Sequence, residues 1–150
     1  MHCYTCQQEE SDVAPEAEKV HVGEYWRVAL VRRTSLPGWI VVVPRRHTTR
    51  IADLTASEAQ ELGPLLVAVS QAIETVTGTS KTYLMQFAEA EGFAHVHIHV
   101  TPRSPDEEHR GPRVFAYLDT TEALGEAEKE ALALRLRAAV AQALSTLQPT

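Results

Sequence analysis

The sequence predicts an α+β fold, an antiparallel sheet carrying two main helices, on three observations. β-rich runs come in two pairs, each pair followed by a long helical pattern, so the order reads strand, strand, helix, strand, strand, helix. Strand–helix–strand units do not recur often enough for a doubly wound parallel sheet, which leaves an antiparallel one. The 150 residues are 44% hydrophobic and 23% charged, ordinary values for one soluble globular domain spanning residues 1–150.

The elements follow in chain order. Residues 7–19 (QQEESDVAPEAEK) are polar, contain Pro15 and read as a loop. Tyr25–Val31 (YWRVALV) reads as a strand, and Pro37-Gly38 turns it back. Trp39–Val43 (WIVVV) is almost purely β-branched, which predicts a strand buried on both faces and ended by Pro44. Thr55 and Glu58 have capping-box spacing. Leu62, Leu65, Leu66, Val69, Ile73 and Val76 then recur at helical intervals up to Gly78, a C-terminal stop. Pro64 falls inside that pattern and predicts a kink or break near residues 61–63. Lys81–Ala88 reads as a third strand, and Ala90–Phe93 as a turn around Gly92. His95–Thr101 reads as a fourth strand, and residues 103–113 as a charged loop. A second helix spans about 121–147, its stripe marked by Leu132, Leu136, Val140, Leu144 and Leu147, to pack on the domain or on a partner subunit.

The fourth strand carries the chemistry. Residues 95–103 read HVHIHVTPR, with His95, His97 and His99 at every second position. A strand sends alternate side chains to opposite faces, so three imidazoles project from one face at steps of roughly 6.6 Å while Val96, Ile98 and Val100 cover the other. Surface histidines on a solvated sheet are the plainer alternative, but the clean apolar face opposite favours an active-site wall. A neutral imidazole can attack phosphorus when an acceptor holds its other nitrogen and donors surround the phosphate. His97, flanked on both sides by histidine, has such neighbours.

Metal chemistry draws on the same residues. The two cysteines, Cys3 and Cys6, form a C-x-x-C pair, which in a reducing compartment suggests a metal half-site or a redox pair. Zinc takes thiolate and imidazole ligands tetrahedrally, so two histidines from among His47, His95, His97 and His99 would complete a structural site. His2, His21 and His109 lie in polar segments and read as surface residues.

A net charge of −6 argues against a general nucleic-acid binder. Within Tyr25–Arg50, however, six arginines (Arg27, Arg32, Arg33, Arg45, Arg46, Arg50) occur with no acidic residue. They are either solvated edges or a local field for a phosphorylated small molecule. No apolar run is long enough to span a membrane, and the N-terminus has no signal-peptide pattern, so the expected location is cytoplasmic. Phosphate-loop, dinucleotide-fold, nucleophile-elbow and zincin motifs are absent.

HVHIHVTPR resembles the signature of the histidine-triad (HIT) family, and PGWIVVVPRRH resembles that family's glycine, aliphatic strand and P-x-x-H element. The resemblance runs from Cys3 to about Arg103. It implies an α+β fold with a five-stranded sheet, usually paired as a homodimer that joins two sheets into one. It also implies cleavage of a nucleotide phosphoanhydride or phosphoramidate at the α-phosphate. His97 would be the nucleophile that forms a nucleotidyl-histidine, and His99 would contact the phosphate and help with proton transfer. Gln86, His99 and Arg103 are the substrate contacts it suggests. Members with an N-terminal C-x-x-C bind zinc, which maps here to Cys3, Cys6, His47 and His95. Related uridylyltransferases have glutamine at the third triad position, so His99 favours hydrolysis. The chain departs from the family pattern in three places. VRRTSLPG lacks the usual ribose-binding carboxylate, Trp39 stands where histidine is common, and YLMQFAEAEGFAH lacks the usual asparagine and Gly-Gln pair. A nucleotidyltransferase or phosphorylase, or a non-catalytic zinc-stabilised nucleotide-binding protein, are the alternative readings.

Overall fold

A computed structural model describes residues 2–10, 19–31 and 33–147. In order, the elements are α1 (Tyr4–Glu10), β1 (His21–Val22), β2 (Trp26–Leu30), β3 (Ile40–Pro44), α2 (Ala56–Thr77), β4 (Thr82–Met85), β5 (Ile98–Pro102) and α3 (Glu126–Thr146). The strands form one five-stranded sheet ordered β1-β2-β3-β5-β4, every neighbouring pair antiparallel. This is the α+β architecture that the strand–helix order predicts.

α2 and α3 cover one face of the sheet. Val28, Leu30, Ile40, Val42, Ile98 and Val100 share a single core cluster with Leu65, Val69 and Ile73 of α2 and Leu132, Leu136 and Val140 of α3. The stripe of the C-terminal helix therefore packs within its own chain. On the other face lie Val41 and Val43 of β3, close to the histidines. Val41 is half-buried, so β3 is not fully buried on both faces.

α2 begins as its capping box predicts: the Thr55 hydroxyl accepts from Glu58 N–H at 3.2 Å, and Glu58 accepts from Thr55 N–H at 2.8 Å. It ends at Gly78, whose φ of 75° is left-handed. The break predicted at Pro64 does not occur, and the helix runs continuously from Ala56 to Thr77. Pro64 and Gln60 are both exposed, so the carbonyl that proline deprives of a partner faces water. Glu61, one turn before, ties the helix to β2 by accepting from Tyr25 and Trp26 N–H at 3.0 and 3.1 Å.

Four further boundaries differ from the sequence reading. Residues 7–10 of the expected 7–19 loop belong to a helix, Tyr4–Glu10; residues 11–18 of that expected loop lie outside the described residues. β1 is too short to carry a period. α3 starts at Glu126, not near Thr121, because Asp119 N–H and Leu124 N–H donate to the carbonyls of Arg33 and Thr34 and hold residues 119–124 out of a helix. Lastly, the histidine strand begins at Ile98, not His95. The β3–β5 register pairs Ile98 with Val42, which would set Val96 against Pro44, a residue with no N–H for the ladder. Val96 N–H donates to Thr48 instead, at 2.8 Å.

Candidate active site and metal-binding group

The early end of β5 decides how the three histidines are used. His95 is 1% exposed. Its Nε2 lies 2.8 Å from the Pro44 carbonyl, which can only accept, so the ring carries its proton there. The Nδ1 lone pair then faces sulfur: Cys3 Sγ at 3.7 Å and Cys6 Sγ at 3.5 Å. His47, just beyond β3, places Nδ1 3.2 Å from Cys6 Sγ. One ligand atom from each of Cys3, Cys6, His47 and His95 lies within 4.8 Å of the other three. The edge between sulfur and nitrogen in a tetrahedral zinc site is about 3.6 Å, given Zn–S near 2.3 Å and Zn–N near 2.0–2.1 Å. The observed separations bracket it, and the carbonyl behind His95 is the outer partner that metal-bound histidines ordinarily have. The four residues therefore form a group that fits a metal ion. Burial and the adjacent Cys3 thiol push the Cys6 thiol up to about 11, so a cation is what would make this thiol ionise near neutral pH. Cys3 also accepts from Cys6 N–H at 3.4 Å, capping α1.

His97 lies outside this group. Its Nδ1 is 2.8 Å from the His95 carbonyl, freed because the ladder stops short of it. That carbonyl accepts a hydrogen bond from Nδ1–H and leaves the Nε2 lone pair without a partner among the described residues. The His97 and His99 rings lie 5.1 Å apart, and both line a cleft of about 650 Å³. His99 Nδ1 accepts the indole N–H of Trp39 at 3.0 Å. Burial, and then His97, push His99 down to about 4, so it is neutral at pH 7.

The cleft floor combines the small and aliphatic side chains of Ala29, Val41 and Val43 with Arg27, which pairs with Glu9; Tyr4, Thr5 and Gln8 of α1 form one wall. Arg33, Asp119, Glu126 and Lys129 also line it. Gln86 follows β4, half-buried, and is not among the lining residues. Nor is Arg103, which lines a separate depression with Arg110 and Arg135. The structure thus gathers Cys3, Cys6, His47 and His95 in one group and His97 and His99 in one cleft, and leaves Gln86 and Arg103 out of both.

The arginine run is largely matched by acids from elsewhere. Glu9 meets Arg27 and Arg45, Glu58 meets Arg46 and Asp53 meets Arg50. Arg32 lies outside the described residues, and Arg33 lines the cleft. A general cationic field is therefore replaced by local ion pairs. His109 is paired with Asp106 at 2.8 Å, and His2 is exposed. His21 is half-buried, unlike the surface residue expected.

Sequence reasoning passed over Trp39 as a working residue, along with α1 and Phe115. The signal for Trp39 was present: a tryptophan in a buried aliphatic run must find an acceptor for its N–H. Tyr4 and Gln8, four apart, were a weaker helical hint.

A family model described as the HIT domain matches residues 14–106, more than half of the chain. The chain belongs to the HIT family. This HIT-family protein is 34% identical over 93 residues to the bifunctional bis(5'-adenosyl)-triphosphatase/adenylylsulfatase of Arabidopsis thaliana, covering 60% of this chain and 52% of that protein. It is 33% identical over 90 residues to the asymmetrical bis(5'-nucleosyl)-tetraphosphatase of Schizosaccharomyces pombe, covering 58% and 50%. The chain thus spans about half the length of these curated relatives. The HIT fold is also shared with a Zn-bound histidine triad family protein from Mycobacterium smegmatis, at a TM-score of 0.69 and 19% identity over 96% of both chains. A hypothetical histidine triad nucleotide-binding protein from Sulfolobus tokodaii superposes at 0.71 with 16% identity over 93% of both chains.

Proposed function

We propose that this HIT-family protein is a hydrolase that cleaves a nucleotide phosphoanhydride or phosphoramidate at its α-phosphate through His97. The observation that carries the reading is the His97 Nδ1–His95 carbonyl hydrogen bond, which holds the Nε2 lone pair ready for attack in the cleft that His97 and His99 both line. In the first step the His97 Nε2–phosphorus bond forms and the bond to the leaving group breaks, the leaving group taking the electron pair. In the second, water attacks phosphorus, the N–P bond breaks with its electrons returning to Nε2, and the nucleoside monophosphate departs with one proton released. His99 Nε2–H supplies a hydrogen bond to phosphate oxygens as charge builds there. The polyphosphatase activities in the relatives' names support an anhydride substrate.

Two tests bear on this. Wild type and His97→Ala are offered diadenosine triphosphate and adenosine phosphoramidate; the variant is expected to lose roughly a thousandfold or more in kcat. Equal rates would sink the nucleophile assignment. A denaturing quench at alkaline pH, where the acid-labile N–P bond survives, should trap label from α-³²P substrate on His97; no label together with no turnover would favour a non-catalytic nucleotide-binding protein.

In this reading Cys3, Cys6, His47 and His95 hold a structural zinc that fastens the N-terminal segment to the end of β3. Gln86 and Arg103, the substrate contacts the resemblance suggests, lie outside the residues that line this cleft. Two free thiols suit a reducing cytoplasm. The protein pairs as a homodimer through the β4 edge, a surface that exposes Leu84 and, just beyond the strand, Phe87.

A further inference from the structure

His97 and His99 stand side by side, yet their hydrogen bonds give them opposite polarity. His97 donates from Nδ1 and keeps a lone pair on Nε2. His99 accepts at Nδ1 from an indole N–H, a group that can only donate. A neutral imidazole that accepts at one nitrogen carries its proton on the other. We propose that Trp39 locks His99 as a neutral Nε2–H donor, and that this lock directs the cleft to phosphoanhydrides in preference to phosphoramidates. The second half rests on the hydrolase reading above.

The lock is built into the fold. Trp39 is fully buried and belongs to a small cluster with Leu36 and Val114. Phe115 meets the Trp39 ring edge-on at 5.5 Å and the His99 ring at 5.6 Å, so the pair is held from a third side. Gly38, at a φ of +89°, makes the turn that delivers Trp39; a Cβ there would meet Thr77 Cγ2 at 2.6 Å. The cross-strand neighbours of His99 are Val41 and Met85. Among the described residues, His97 is the titratable group against its ring. Protonating His99 would set an Nδ1–H head-on against the indole N–H. The low affinity of His99 for a second proton agrees with this geometry.

The consequence is chemical. A neutral imidazole can hydrogen-bond through Nε2–H but cannot surrender that proton without becoming an imidazolate. His99 therefore steadies phosphate oxygens and does not act as the acid that protonates a leaving group. When His97 displaces a phosphate from an anhydride, the leaving group is weakly basic and departs as its anion with no proton. When it displaces an amine from a phosphoramidate, the nitrogen must first take up a proton. A cleft whose second histidine is a fixed donor suits the first reaction and serves the second poorly.

Long-range ¹H–¹⁵N NMR on the substrate-free protein reads the lock directly. Wild-type His99 is expected as the Nε2–H tautomer alone from pH 8 to pH 6, and Trp39→Phe is expected to mix the tautomers. Wild-type kcat/KM for diadenosine triphosphate should exceed that for adenosine phosphoramidate by about a hundredfold or more. Trp39→Phe should narrow the ratio by about tenfold, chiefly through kcat, because a freed Nδ1 lets His99 carry and deliver a proton. A purely structural role for Trp39 would lower both substrates alike. An Nδ1–H or imidazolium form of wild-type His99 at neutral pH, a wild-type ratio near one, or an unchanged ratio in folded Trp39→Phe would each overturn the proposal. If that variant does not fold, the wild-type spectrum and ratio still decide. Turnover of neither substrate would overturn the hydrolase reading and the substrate preference with it, while the spectrum, which needs no substrate, would still report the tautomer.

Discussion

Each triad histidine takes its tautomer from a different neighbour: His95 from the Pro44 carbonyl, His97 from the His95 carbonyl and His99 from the Trp39 indole. Three identical side chains thereby become a sulfur-facing lone pair, a cleft-facing lone pair and a donor. Another single residue contributes to the acid sensitivity of the fold. The Glu58 side chain, 3% exposed, accepts from Arg46 Nε at 2.8 Å and from Thr55 N–H, and the Arg46 hydrogen bond is the main reason its pKa falls from 4.5 to about 2. A carboxyl with a depressed folded pKa contributes its full stability above the unfolded value and loses it as pH falls through the folded value. The window here is about pH 4.5 down to about 2. Glu58→Gln should cost about 1–3 kcal/mol at pH 7, the lower end if water around the half-exposed Arg46 weakens the pair. Urea melts should show the gap between wild type and variant closing as pH falls toward 2; a gap independent of pH would refute the ion pair's role.

At the scale of elements, α1 depends most on chemistry outside the core. Seven residues are too few for a helix to stand alone in water. α1 is held by its cysteines, by the Glu9 bonds to Arg27 and Arg45, and by Tyr4 against Phe93 at 5.3 Å. Since Tyr4, Thr5 and Gln8 wall the cleft, α1 connects the cysteine–histidine group to the cleft lined by His97 and His99. Elemental analysis should find about one zinc per chain, and Cys3→Ser should lose it. That loss should lower Tm by about 5–10 °C, equivalent to roughly 2–3 kcal/mol for a chain of this size. It should also speed protease cleavage near the N-terminus. A metal-free wild type with an unchanged Tm would dispose of the site. The legibility of α1 was poor because a short polar helix has no apolar period; its reason to form lies ninety residues away at His95.

At the scale of the molecule, one face of the sheet is sealed by α2 and α3 and the other carries the chemistry. The β4 edge bears exposed Leu84, with Phe87 just beyond it. If two copies join there, Phe87→Asp with Leu84→Lys should halve the mass seen by sedimentation equilibrium, and a wild type that is monomeric at high concentration would refute the pairing. The sequence by itself determined the layered α+β order, the helix caps at Thr55 and Gly78, and the residue types of both sites, because these follow from local periodicity, turn chemistry and donor identity. Tertiary structure alone decided three things: that β5 starts at Ile98, that Arg103 and Gln86 stand outside the cleft, and that Trp39 meets His99. Each depends on a register or a contact between residues distant in the chain. The alternating histidines announced a working surface, but the partner behind each ring, supplied by a strand end, a carbonyl and an indole, set what each one does.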